Sequence, residues 1–276
     1  MTGTGPDSPR WDATAYNHLS DPQYAWGQRV LDRLELRGDE TVLDAGCGSG
    51  RLTALLLERL PYGRVIAVDQ AEAMLAQARS NLAAHAGRVV YLCADLQTIE
   101  LGRPVDAIFS TATFHWILDH ARLFRALAAA LVPGGRLEAQ CGGGPNLARL
   151  RARVRGLIER EPYAAHFEGW REPWLFSWPG EAAGHLERAG FVDVATGLEP
   201  APTRFDSAKA FHPFLRSVVL WPHLQRLPES LRQSFVASLV SQAADDDPPF
   251  VLDYWRLNLR GRRPVAAEAP ADGRKL

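Results

Sequence analysis

Val42-Leu43-Asp44-Ala45-Gly46-Cys47-Gly48-Ser49-Gly50 is an apolar run that ends in one acid and three closely spaced glycines. The apolar part has the composition of a buried parallel strand, and the glycines mark a sharp turn into a helix beginning near Arg51. Glycine lets the backbone bend tightly there and lets a ligand lie against main-chain N–H groups. A dinucleotide loop needs a third glycine where this chain has Arg51. The spacing here is instead Gly-x-Gly-x-Gly, with Asp44 just before it. A carboxylate in that place repels a pyrophosphate and attracts a ligand carrying an ammonium group. An acid at the end of a buried strand also demands a partner, either the ligand or the loop amides. Cys47 reads as a small space-filling residue of the turn.

Similar strand-and-turn signals follow. Arg64 to Val68 is a second short apolar strand ending in Asp69-Gln70. An acid at that tip can accept hydrogen bonds from both hydroxyls of a ribose. Val89 to Cys93 is a third strand, closed by Ala94-Asp95-Leu96. Asp95 can accept from an adenine amino group while Leu96 packs on the ring. A fourth strand, Val105 to Phe109, runs into Ser110-Thr111-Ala112-Thr113-Phe114-His115-Trp116, and Leu131 to Leu137 is a turn feeding a fifth strand. Taken singly, Asp69 could merely cap the helix from Glu72, and Asp95 could cap a turn. Ammonium, ribose and adenine together describe S-adenosylmethionine (SAM).

In this order and at these separations the four motifs resemble those of the class I SAM-dependent methyltransferases. The resemblance implies an α/β fold, a Rossmann-like mixed sheet of class I methyltransferase type with a helical cap inserted before the last strand. It also implies which residues hold the SAM cofactor. Asp44, Gly46 and Gly48 would hold the methionine part, and Asp69, followed by Gln70 and Met74, the ribose. Asp95 and Leu96 would hold the adenine, with Thr111 beside the cofactor at the end of the fourth strand. A nucleotide-dependent oxidoreductase is the weaker reading, because it lacks its third glycine and gives Asp95 no task. A SAM-binding regulatory protein without catalysis is a third reading.

Composition fits a soluble enzyme of 276 residues with room for a sizeable core. A formal net charge of −1 argues against nucleic acid as a partner. The cysteines Cys47, Cys93 and Cys141 form neither a disulfide framework nor a metal-ligand cluster, which points to a reducing cytoplasm and to no metal. The amino terminus has no leader pattern, and no window is apolar enough to span a bilayer. Residues 1–37 read as a segment covering the cofactor, 38–145 as the SAM-binding core, and 146–262 as cap helices with the final strands. The 263–276 stretch reads as a disordered tail. Within the third region helices are expected at 147–160, 181–189, 205–220 and 229–244. Phe250 to Arg260 is expected as an edge strand antiparallel to the fifth. Monomer and homodimer are both open.

Trp11-Asp-Ala-Thr-Ala-Tyr16, Phe114-His-Trp116 and Pro133-Gly-Gly135 resemble the trans-aconitate methyltransferase family. The likeness extends, more loosely, through Glu187-Arg-Ala-Gly-Phe191 to the last strand. It implies that Trp11 and Tyr16 fold over the cofactor, with an aromatic face toward the sulfonium. The cap departs from that family in length and in its tryptophans, Trp170, Trp174, Trp178 and Trp221, which are either core filling or the wall of a dry acceptor pocket. O-methylation of a small organic acid or natural product is the favoured reaction. N- or C-methylation of a secondary metabolite and ester formation on a carrier-bound malonyl group are alternatives. A carboxylate acceptor needs no base, and Arg149, Arg171, Arg204 and Arg216 are candidate anchors for it. A hydroxyl or carbon acceptor needs one, and His115 is the catalytic candidate, followed by His212 and His223.

Overall fold

The computed structural model describes residues 21–265, so Trp11, Tyr16 and most of the expected tail lie outside the described residues. Seven strands form one mixed sheet in the order β3-β2-β1-β4-β5-β9-β6. The first five are β1 (Thr41–Ala45), β2 (Arg64–Asp69), β3 (Val89–Cys93), β4 (Val105–Thr111) and β5 (Leu131–Gly142). They run parallel, and β1, β2 and β4 are the near-continuous apolar segments that strands covered on both faces require. The strand order reverses between β1 and β4, and ligands of open α/β sheets bind beyond the strand ends at such a point.

Helices α1 (Asp21–Arg33), α2 (Arg51–Glu58) and α3 (Glu72–Asn81) cover one face. There Val30, Leu31, Leu56, Leu57 and Leu75 pack on Val42, Val65 and Phe109. Helices α4 (His120–Ala130) and α6 (Pro179–Arg188) cover the other through Leu123, Phe124, Leu127 and Leu186. A third cluster is the core of the cap. It joins α5 (Ala148–Ile158), α7 (Ala208–Phe214), a π-helical turn at Leu215–Val219, α8 (Trp221–Leu224) and α9 (Glu229–Ala244). The cap therefore draws on two insertions, one after β5 and one after β6 (Val192–Pro200), not on the second alone.

Two expectations are corrected. Phe250 to Arg260 is not one edge strand. Val251–Leu252 (β8) pairs with Thr203–Arg204 (β7) in a separate ribbon, and Trp255–Arg262 (β9) lies between β5 and β6. The reason is that β9 is paired along both of its edges. Leu257 and Leu259 enter the core, while Asn258 and Arg260 meet a polar row on β5 and α1. In that row Glu138 accepts from Arg33 at 2.8 Å and from Arg260 at 3.0 Å, and Gln140 donates to Asn258 at 2.8 Å. The edge strand is β6. Backbone pairing also runs past residue 262, since Arg263 exchanges hydrogen bonds with Gly134 and Gly135.

The helix expected at 205–220 is broken. Ser207 caps α7, Pro213 sits inside it, and the backbone widens into the π turn before Trp221-Pro222 restarts a helix. Trp26 of α1 belongs to the cap core, with its ring 5.2 Å from Tyr254 and the Arg256 guanidinium 4.6 Å above it. Trp26→Ala should cost about 3–5 kcal/mol, the usual penalty for an emptied aromatic site. Denaturant melts would check this, and a loss under 1 kcal/mol would show that α1 and the cap are not held together by this ring.

Candidate active site

The glycine loop is closed largely by its own neighbours. The Gly46 and Cys47 amides donate to Val68 O at 2.8 and 2.9 Å, and Gly50 N donates to Cys47 O. Gly48 N donates to Asp69 Oδ2 at 2.9 Å, and Asn81 reaches back to Ser49 O. The amides of 46, 47, 48 and 50 are thus spent within the protein, contrary to the expectation that they face a ligand. What the loop offers is shape. Gly46, Gly48 and Gly50 all have positive φ. A Cβ on Gly46 would lie 2.1 Å from Thr113 Oγ1, whereas one on Gly48 would meet nothing within 4 Å. The loop packs against Thr113 at Gly46 and opens at Gly48.

Asp44 lies beneath this loop. It is 2 % exposed and accepts from Thr53 Oγ1 at 2.6 Å. Burial pushes its carboxyl up to about 7, the Thr53 hydrogen bond opposes this, and the Asp69 charge adds to it. Thr53, fully buried on the first turn of α2, escaped the sequence reading. Its signal was a lone polar residue among leucines.

Asp69 accepts from backbone amides on two sides and is not the N-cap of α3. Burial raises its pKa, opposed by the amides of Ala71 and Gly48, which donate to it at 2.9 Å each. It therefore holds the turn that leads into α3, whose N-cap position is Ala71, and braces the glycine loop, while each oxygen keeps a lone pair for a hydroxyl. Asp95 is half-buried and accepts from Gln97 N at 2.9 Å, the turn-capping geometry. Leu96 and Met74 are buried, Gln70 is exposed, and Thr111 is half-buried at the end of β4. Asp44, Asp69, Asp95 and Thr111 thus come from neighbouring strand ends on one side of the sheet.

Beside them is a cleft enclosing about 470 Å³, part of it open to solvent. Its wall begins at Ala112, the residue before the Thr113 that sits on Gly46. His115, Trp116, Trp174, Phe176, Tyr254 and Arg256 line it further out. His115 Nδ1 accepts from Gly142 N at 3.3 Å. An amide can only donate, so the ring proton sits on Nε2. Burial, then the nearby Arg256 charge, hold the His115 pKa well below the ordinary value, so the ring is neutral. Arg256 is 3 % exposed and donates to Gln140 Oε1 at 3.4 Å. None of Arg149, Arg171, Arg204 and Arg216 lines the cleft. Arg149 pairs with Asp246 and Arg216 with Glu229, and Arg171 and Arg204 are exposed. Of the other histidines, His223 lies in the cap among Trp170, Trp174 and Phe235, and His212 is on α7.

Residues 42–135 match the family model described as a methyltransferase domain. The trans-aconitate 2-methyltransferase of Azoarcus sp. (strain BH72) is 32% identical over 240 residues, covering 83% of this chain and 88% of that one. This chain belongs to the trans-aconitate 2-methyltransferase family. It is a SAM-dependent methyltransferase. The Variovorax paradoxus (strain S110) member is 28% identical over 281 residues, covering 95% of this chain and 99% of its own. The fold is shared with Haemonchus contortus phosphoethanolamine N-methyltransferase 2, solved with phosphomonomethylethanolamine and S-adenosylhomocysteine. That likeness has a TM-score of 0.59 at 17% identity and covers 91% of this chain and 57% of that one.

Two outcomes test the cradle. The folded pKa of Asp44, about 7, lies above the ordinary value of 3.8, so the apo protein loses stability as pH rises between them. Asp44→Asn should remove that loss, leaving the apo protein as stable as wild type or more so at pH 8. It should weaken S-adenosylhomocysteine binding by about 1.5–3 kcal/mol, the scale of a charge-assisted hydrogen bond. Calorimetry and thermal melts at pH 5 and pH 8 would read both. Asp69→Ala should instead lower apo stability by about 1.5–3 kcal/mol, because two amides lose a charged acceptor. An unchanged melting temperature would show that Asp69 does not brace the loop.

Proposed function

We propose that this enzyme forms methyl esters on the carboxylate of a small organic acid. The observation that carries the reading is the pairing of Arg256, a buried cation, with His115, a neutral ring, in one cleft next to the glycine loop. Asp44, Gly46, Gly48, Asp69, Gln70, Met74, Asp95, Leu96 and Thr111 would hold the cofactor. Asp44 meets its ammonium, Asp69 its ribose, and Asp95 with Leu96 its adenine. The fit rests on the buried Asp44 carboxylate and on the open space before Gly48. Tyr16 would close over it from outside the described residues.

When bound, SAM supplies a methyl on a sulfonium; a carboxylate oxygen gains the new C–O bond as the C–S bond breaks, the pair stays on sulfur, and no proton is released. Arg256 anchors the acceptor through a guanidinium whose donors match a carboxylate. His115 presents Nε2–H as a further donor, since its lone-pair nitrogen faces Gly142. A base role would need that nitrogen turned toward the acceptor. The aromatic walls limit water access and orient the carboxylate for attack. The family resemblance supports a small-molecule acceptor, the near-neutral charge argues against nucleic acid, and the sparse unpaired cysteines support a cytoplasmic site, with a monomer and a homodimer equally compatible.

Arg256→Gln should raise the KM for the acid at least tenfold while S-adenosylhomocysteine affinity stays near wild type. Thermal melts are needed alongside, because Arg256 also packs on Trp26. At saturating cofactor, kcat should be flat from pH 6.5 to 9, because His115 stays neutral throughout. His115→Ala should lower it only modestly. A kcat that climbs with pH, and falls roughly 10²–10⁴-fold in the variant, would make His115 a base and the acceptor a hydroxyl or carbon acid.

A further inference from the structure

On the ester-forming reading above, we propose that Asn146 binds the acceptor, and that its Nδ2 group and His115 Nε2–H together hold the carboxylate oxygen that does not take the methyl. Asn146 follows β5 in Gly142-Gly-Gly-Pro145-Asn146 and lines the cleft, yet it is only 2 % exposed. Its Oδ1 accepts from Trp255 N at 2.8 Å, and Gly143 N donates to Trp255 O at 3.3 Å. These two bonds carry the β5–β9 ladder past its last strand pair, Gly142 with Arg256. That task uses only the side-chain oxygen. A backbone amide can only donate, so the contact with Trp255 N also fixes which end of Asn146 is oxygen. The Nδ2 end has no hydrogen-bond partner among the described residues. It sits over Gly142, where a Cβ would lie 2.8 Å from it. Gly142 is also the residue whose N–H donates to His115 Nδ1. His115 Nε2–H likewise has no partner among the described residues, and its ring is neutral. Two uncharged donors with fixed ends thus flank one glycine, and both belong to the cleft lining.

Uncharged donors suit the reacting group. Its carboxylate starts with a full negative charge and ends as an ester, so charge leaves both oxygens as the methyl arrives. An amide and a neutral imidazole give up less than a cation would as that charge fades, and only interactions kept in the transition state speed the step. The oxygen they hold becomes the ester carbonyl and still accepts from them in the product. With it fixed, the other oxygen is turned toward the methyl. Neither donor depends on Arg256, whose guanidinium already serves Gln140. The unused NH₂ also accounts for the residue type. An aspartate would serve Trp255 N as well, but its second oxygen would repel an acidic acceptor, whereas a buried donor left without a partner calls for a ligand.

The test uses the full chain with saturating SAM and the best substrate among trans-aconitate, itaconate and trans-cinnamate, read by S-adenosylhomocysteine release and product mass. Asn146→Asp keeps an oxygen for Trp255 N, so its melting temperature should stay near wild type, but it replaces the donor with a charged acceptor. At pH 8 its kcat/KM should fall by about a hundredfold or more, the scale of a lost hydrogen bond to a charged group with a like charge in its place. As pH drops to 5.5 the new carboxyl gains a proton and can donate, so the ratio of variant to wild type should recover by about tenfold or more. A purely structural Asn146 gives no such recovery. A variant within about tenfold of wild type at pH 8, or a loss that pH leaves unchanged, would overturn the proposal and leave ester formation standing. A second measurement needs no variant. Infrared difference spectra of the isotope-labelled product ester bound to wild type should place its carbonyl stretch below that of the free ester in a solvent without donors. An unshifted stretch would overturn the proposal even where Asn146→Asp does not fold. If wild type puts the methyl on carbon or a hydroxyl, or esterifies none of the three acids, the ester reading fails and the proposal with it.

Discussion

An ion held where water cannot reach it organises the cofactor end of this molecule. The Asp44 carboxylate ends a central strand under the glycine loop, with one hydroxyl, Thr53, against it. Left alone it prefers to be neutral near pH 7. A cation placed above it would reverse that preference, and the loop geometry opens on the same side. The glycines are needed for shape more than for donors, since Val68 O and Asp69 already occupy their amides. Asp69 is therefore both scaffold and ligand candidate, and the two roles compete for no lone pair.

The acceptor end depends on a different arrangement. A row of Glu138, Gln140, Asn258 and Arg260 joins β5, β9 and Arg33 of α1, and Arg256 is the last member of that row on β9. Gln140 and the face of Trp26 are among the groups that receive this buried guanidinium. The cap then closes rings around it. Cofactor cradle and cleft meet at Thr113 and Ala112, adjacent residues of one turn with Ala112 at positive φ.

The parallel core was legible because β1 to β4 are short apolar runs, each ending in an acid or a turn, so period and punctuation agree. Asp44, Asp69 and Asp95 could be found the same way. The last strand was misread as an edge because its polar positions, Asn258 and Arg260, look solvent-facing in sequence; only their partners on β5 and α1 and the pairing with β6 show that the strand has neighbours on both edges. Arg256 was missed for the same reason, and surface arginines with the same local appearance were chosen instead. The break after Phe214 was signalled only by Pro213, inside a run that otherwise reads as one helix. The tautomer of His115 depends on Gly142, a contact 27 residues away that no local pattern encodes.

The most direct test of the buried-ion account is a proton count. Calorimetric titration with S-adenosylhomocysteine at pH 7, in buffers of different ionisation enthalpy, gives the protons exchanged on binding. With Asp44 titrating near pH 7, wild type should release about half a proton and Asp44→Asn should release none. Equal release by both proteins, or proton uptake by wild type, would contradict the claim that Asp44 ionises to receive the cofactor.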